Sequence, residues 1–351
     1  MPSTSPLAVT MGDPAGIGPE IVMKAWAALR GSGPSFMVVG DHQSLASAGA
    51  AGAGAVRRIS APFEAAEVFR DAVPVLDLPL NKPVVAGQAS HTYAAAVIRW
   101  IETAVGLALS GAVRGIVTAP ISKKPLYDAG FPFPGHTEFL ADLVAGEAFA
   151  GPRGPVMMLA APSPATPLYT ALVTSHSALR DVPRGLTIDK IVRTGRVLHD
   201  ALQRDFGVAS PRIAMAGVNP HAGEGGALGE EEIETVNPAA AALRSLGIDC
   251  TDARPADTLF HEEARRGYDA VICMYHDQAL IPVKTLDFWG GINVTLGLPL
   301  VRTSPDHGTG FEIAGRGLAR ADSLIAAIRA ADAIASRRSG RSGAAPSVVA
   351  A

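Results

Sequence analysis

Cysteine is nearly missing from this chain: Cys250 and Cys273 are the only two in 351 residues, and they lie far apart without metal-type spacing. That usage belongs to a reducing compartment and excludes a disulfide scaffold, so both residues read as buried thiols of a cytoplasmic protein. Aromatic residues make up only 5%, and the formal net charge is −3. With no basic face interleaved with aromatics, nucleic acid is excluded as a partner. Nowhere do roughly 18 apolar residues run uninterrupted, and the start, MPSTSPLAVTMGDP, lacks a positive segment followed by an apolar one, so neither a membrane span nor a secretory leader is expected. C-x-x-C, H-E-x-x-H and G-x-S-x-G are also absent, which disfavours zincin proteases and serine hydrolases.

What is present is a globular composition, 48% hydrophobic and 18% charged, long enough for two domains. Short β-branched runs (LAVTMG, FMVVGD, GIVTAP) alternate with Ala/Leu-rich helical patterns such as PEIVMKAWAALR and HTYAAAVIRWIETAVGLALSG. The rhythm resumes in RIAMAGVNP, in a helix opening near Glu230, and in AVICMYHD, and it closes with a helix around ADSLIAAIRAADAIASR. This is the pattern of βαβ units around mostly parallel sheets. A Gly/Pro-dense interval, Asp128–Gly154, separates the two sets and reads as a domain crossing or an active-site loop.

Three histidines, His176, His221 and His276, each follow a short strand-like run: ALVTSH, RIAMAGVNPH and AVICMYH. Parallel strands deliver side chains to one rim, so the three can converge on a divalent ion and leave coordination positions open. A single strand-end histidine is more often an ordinary surface residue, so the weight lies in the set. MGDPAGIGPE follows a strand and opens a helix with Pro19 in its first turn, but it is not G-x-G-x-x-G and lacks the P-loop lysine; a structural turn is the better reading. PGHTEF places His136, Thr137 and Glu138 at a helix start, where they either cap the helix or receive an anion. Lys123 and Lys124 nearby read as solvated charges. Lys284, Asn293 and Arg302 offer an ammonium, an amide and a guanidinium fork, the donor set of a phosphate or carboxylate site.

Taken together, MGDPAGIGPE, TAPISK, PGHTEFLA, GVNPHAGEGG, PADTLF, YHDQALIPVKTLDF, NVTLGLP and RTSPDHGTGFEIAG resemble the PdxA family of vitamin B6 biosynthesis, the 4-hydroxythreonine-4-phosphate dehydrogenases. The resemblance runs from about Leu7 to Arg338. It implies an α/β, two-domain fold like that of isocitrate and isopropylmalate dehydrogenases, with mostly parallel sheets and an active-site cleft between the domains. The domains are then residues 1–128 plus 295–338, residues 129–294 with the metal ligands and dimer contacts, and a flexible tail at 339–351.

By the same resemblance, His176, His221 and His276 bind one divalent metal per subunit: zinc, cobalt, magnesium or manganese. His136, Thr137, Lys284, Asn293 and Arg302 bind the phosphorylated substrate. Asp306, His307, Gly308, Thr309 and Gly310 hold NAD or NADP. A homodimer is implied, with Asp257 of PADTLF reaching the active site from the partner subunit. The base is Lys284, His136 or Asp257. Two departures stand out, TSHSAL where THIPL is usual, and HGTGFEIAG where HGTAFDIAG is common. Alternatives left open are a dehydrogenase of a phosphorylated four-carbon sugar acid and a metal-dependent phosphohydrolase.

Overall fold

The computed structural model describes residues 5–49, 55–162 and 165–340, and the chain divides into two compact units. Unit 1 is Met1–Gly146 with Pro299–Ala335; unit 2 is Glu147–Leu298 with the residues from Ser336 onward. Among the described residues twelve strands follow in chain order. The first six are β1 (Leu7–Thr10), β2 (Phe36–Gly40), β3 (Ala55–Ile59), β4 (Ala72–Asp77), β5 (Ile116–Thr118) and β6 (Val156–Ala161). The rest are β7 (Leu168–Leu172), β8 (Arg212–Ala216), β9 (Asp249–Arg254), β10 (Ala270–Cys273), β11 (Ile292–Leu296) and β12 (Arg302–Pro305).

In unit 1 the sheet order is β3-β4-β2-β1-β5-β12 with every neighbour parallel. In unit 2 it is β11-β6-β7-β10-β8-β9, where β11/β6 and β6/β7 are antiparallel and the other pairs parallel. Strands covered on both faces have no polar side to show, which is why LAVT, FMVV, VMMLAA and AVIC are unbroken apolar runs. The core of unit 2 gathers Leu159, Leu168, Ala214, Val271, Cys273 and Val283. That of unit 1 includes Trp26 and Trp100, whose indole nitrogens donate to Phe69 O (2.6 Å) and Leu78 O (3.0 Å) and so pay no desolvation penalty.

The stretch His91–Leu109 is, among the described residues, the one helical segment long and apolar enough by length and composition to cross a membrane. Its stripe of Val97, Trp100, Ile101, Ala104 and Val105 is instead buried against β1, β2 and β5, the use a core helix makes of such a composition.

The division between units falls at Gly146/Glu147 and Leu298/Pro299, later than the expected 128/129 and 294/295. The first division falls inside the Gly/Pro-dense interval Asp128–Gly154 rather than at its start. Phe131, Phe133 and Phe139 pack ring on ring at 5.0–5.4 Å, burying Phe139 and Leu140 of the helix His136–Leu143 and keeping that helix in unit 1. A third division, Ala335/Ser336, falls near the end of the final helix, Asp322–Arg338. Of the tail expected at 339–351, residues 341–351 lie outside the described residues.

MGDPAGIG is a packed turn. Gly12 has φ +76°, and a Cβ there would lie 2.5 Å from Pro120 O, while Asp13 accepts the Ala15 N–H at 3.0 Å. Burial raises the Asp13 carboxyl above its usual range against those backbone donors. Gly12→Ala is expected to cost about 2 kcal/mol or more, from left-handed strain plus the carbonyl clash. A urea midpoint equal to wild type would contradict it.

Candidate active site

Unit 1 gathers buried polar groups around Arg302. Arg302 opens β12 and is 3% exposed; its Nη2 and Nε donate to Thr118 Oγ1 at 2.7 and 3.2 Å, on the adjacent strand β5. Burial lowers the guanidinium pKa to about 10, with Glu138 opposing the shift, so the group keeps its charge at neutral pH. At the facing helix start, no side chain caps the terminus at Gly135, so the capping reading of His136 and Thr137 is not what the fold uses. His136 Nε2 and Glu138 Oε2 are instead buried without a hydrogen-bond partner. Lys123, at the first position of the helix Lys123–Asp128, is the second cation acting on His136. Arg302 and Lys123 thus both act on the buried His136, and Glu138 acts on Arg302.

His136 is held well below its usual pKa, first by burial and then by Arg302 and Lys123. A histidine whose folded pKa is depressed stays neutral when the unfolded chain takes up a proton. Stability is therefore intact above about pH 6.5 and declines as pH falls below it, at about 1.4 kcal/mol per pH unit for one proton. His136→Asn is expected to flatten that decline. Thermal melts between pH 7 and pH 5 with parallel slopes in both proteins would refute it.

The DHGTG segment also belongs to unit 1. Thr309 O accepts the Ile17 N–H at 2.8 Å, and a Cβ on Gly16 would meet that oxygen at 2.8 Å, so the MGDPAGIG turn and this loop are packed backbone to backbone. Gly310 has φ +52° and lies against Ile17, which accounts for glycine where alanine is common in the resembled pattern. His307 Nε2 is buried without a partner. Glu20, in the first turn of the helix Gly18–Leu29, accepts from Ala319 N (2.9 Å) and fixes the far end of the same segment. Beside it lies a groove of about 610 Å³ with Gly16, Asp41, Ser44, Lys82, Gly315 and Gly317 in its wall.

Unit 2 carries the histidines at the ends of three adjacent parallel strands, His176 after β7, His276 after β10 and His221 after β8. The rings of His176 and His276 lie 5.9 Å apart at 34°. His276 Nδ1 is 2.8 Å from Asp277 Oδ1, so an Nδ1–H donated there turns the Nε2 lone pair outward, the arrangement of a carboxylate-oriented metal ligand. His221 sits in its own turn at φ +54°. Among the described residues no three His, Cys, Asp or Glu side chains stand close enough to share an ion: the fold assembles a pair, with the third histidine on the neighbouring strand end. The donor chemistry fits a divalent cation.

Of the other expected site residues, Lys284 ends the helix His276–Leu286, donating to Phe288 O at 3.2 Å and lying 5.1 Å over the Phe288 ring. Asn293, in β11, has a buried Oδ1 without a partner. Asp257 is exposed and shares an apolar hollow with Tyr275, Asp277 and Ile281. Thr118 and Lys123 were not in the expected set. TAPISK, a strand end followed by a cation at a helix start, is the signal that carries both.

A buried guanidinium on one α/β unit and, separately, an oriented imidazole pair on the other are chemistry that enzymes use. The family model described as pyridoxal phosphate biosynthetic protein PdxA matches residues 33–331, and the chain belongs to that family. It is 63% identical over 336 residues to a 4-hydroxythreonine-4-phosphate dehydrogenase of Caulobacter vibrioides, covering 96% of this chain and 99% of the relative. The crystal structure of 4-hydroxythreonine-4-phosphate dehydrogenase from Klebsiella pneumoniae is similar, with a TM-score of 0.80 and 40% identity, over 94% of this chain and 99% of that one. A terephthalate 1,2-cis-dihydrodiol dehydrogenase from Burkholderia xenovorans is also similar, with a TM-score of 0.60 and 27% identity, over 97% and 99% of the two chains.

Proposed function

We propose that this chain is a 4-hydroxythreonine-4-phosphate dehydrogenase acting in pyridoxal phosphate biosynthesis. It oxidises 4-phosphooxy-L-threonine at C3 with NAD or NADP, and the 3-oxo acid formed loses carbon dioxide to give 3-amino-2-oxopropyl phosphate. The observation that carries this reading is the buried Arg302 guanidinium facing His136, where polar atoms wait unpartnered.

In this reading Arg302, His136, Thr137, Lys284 and Asn293 bind the phosphate and orient the substrate. Asp306, His307, Gly308, Thr309 and Gly310, with the neighbouring groove, would hold the dinucleotide, which would supply the hydride acceptor. His176, His221 and His276 would hold a divalent ion, which would supply Lewis acidity at the 3-hydroxyl. The hydroxyl proton passes to Lys284, His136 or Asp257, and the pH–rate profiles of the three variants distinguish them. His136 enters neutral, because burial and two cations depress its proton affinity. A bound phosphate adds negative charge beside it and strengthens it as a base. The exposed Ile281, Phe288 and Trp289 near the Asp257 hollow supply apolar surface for a homodimer, which sedimentation reads directly. The two unpaired, buried thiols accord with a cytoplasmic location.

The test is reduction of NAD or NADP by the purified protein with a divalent metal and either 4-phosphooxy-L-threonine or 4-phosphoerythronate. Turnover of the phosphothreonine, lost in His221→Ala, is expected. Preference for the sugar acid would move the protein to the sibling substrate class, and phosphate release without reduced cofactor would overturn the dehydrogenase.

A further inference from the structure

Hydrogen bonds tie together the three histidine-bearing strand ends of unit 2. Thr174 Oγ1 donates to Met274 O at 2.6 Å, joining the loop after β7 to that after β10. The buried Gln278 accepts the Met274 N–H at 2.7 Å and donates from Nε2 to Gly217 O at 2.6 Å, joining the end of β10 to the end of β8. Glu232 is 1% exposed; its Oε1 accepts the Val218 and Asn219 N–H groups at 2.7 and 2.8 Å, and its Oε2 accepts Asn219 Nδ2 at 2.9 Å. Thr174, Met274 and Asn219 each stand two residues ahead of a histidine: His176, His276 and His221.

The turn that follows Asn219 is strained. His221, Ala222, Gly223, Glu224 and Gly225 run in succession at φ between +44° and +81°, a left-handed turn that is unfavourable for each non-glycine residue. Such a turn persists only where its surroundings over-determine it. Glu232 is the group beneath it, since a Cβ on Gly223 would lie 2.8 Å from Glu232 Oε2. The carboxylate itself sits in a π-helical turn, Glu232–Val236, a widening often found where a helix must aim one side chain. A turn with no directional task could relax into a cheaper conformation. This one spends backbone energy on the orientation of His221.

We propose that Thr174, Gln278 and Glu232 are positioning residues that hold the three histidine-bearing strand ends in place, so that a divalent cation draws the third histidine to the pair already formed. The inference rests on the metal reading above. Two measurements on the intact protein separate them: amide hydrogen exchange at Val218 and Asn219 without metal, and titration with Co²⁺ followed by its visible absorption. Glu232→Gln keeps the side-chain shape but replaces the Oε2 acceptor with a donor, and Gln278→Glu places an acceptor against Gly217 O. Each is expected to speed the two amides at least about tenfold, weaken Co²⁺ binding about 10- to 100-fold and alter the shape of the Co²⁺ bands. Thr174→Val removes a single hydroxyl at nearly constant volume; where the buried-charge variants fail to fold, it is expected to give about a tenfold loss of Co²⁺ affinity. Faster exchange with wild-type Co²⁺ affinity and bands would overturn the positioning role and leave the metal reading intact. A wild-type protein that binds no Co²⁺ would overturn both.

Discussion

Arg302→Lys is expected to lower kcat/KM for the phosphorylated substrate by about a hundredfold to ten-thousandfold, while leaving slow turnover of the unphosphorylated 4-hydroxy-L-threonine nearly unchanged. The guanidinium is buried at 3% exposure, is gripped through Nε and Nη2 by Thr118, and keeps its proton with a pKa of about 10. On the proposed reading it would meet a phosphate as a fixed planar fork. Hydrogen bonds to charged groups are worth about 1.5–3 kcal/mol each, and two of them span that range of rate at 1.36 kcal/mol per tenfold. Lysine restores the charge but offers one compact ammonium on a flexible stem, with no second parallel donor and no grip on Thr118. A loss below about threefold, or equal losses for both substrates, would remove the phosphate from this site.

Stripping divalent metal is expected to cost about a thousandfold or more in kcat, with recovery when cobalt, manganese or zinc is returned. Several kcal/mol of transition-state charge stabilisation are at stake, and side chains alone do not replace them. On the proposed metal reading His276 is the residue to change, because its imidazole is already oriented by Asp277 at 2.8 Å and stands 5.9 Å from the His176 ring. His276→Ala is expected to show the same loss without recovery. Full turnover after chelation, with elemental analysis finding less than one metal per chain, would refute the metal-assisted mechanism.

Much of the fold was legible because its strands are buried on both faces. LAVT, FMVV and AVIC announce themselves by composition, and Pro19 announces the start of Gly18–Leu29. The unit boundary was not legible, since Gly/Pro density reports local backbone freedom. Which core Phe131 and Phe139 join is settled by packing. The chemistry divides the same way. His136, Arg302 and the strand-end histidines carry their residue types openly, whereas Thr118, Lys123, Glu232 and Gln278 look like ordinary polar residues until strand order puts them beside a charge or a loop.

Residue type and order by themselves determined the alternating α/β architecture, the supply of imidazole and guanidinium groups at strand ends, and the family, because periodicity and motif order are properties of the chain. Tertiary structure alone decided that Arg302 is buried on Thr118, that His136 is neutral, and that His176 and His276 form a pair. Burial, dielectric and ring separation arise only when strands distant in sequence become neighbours.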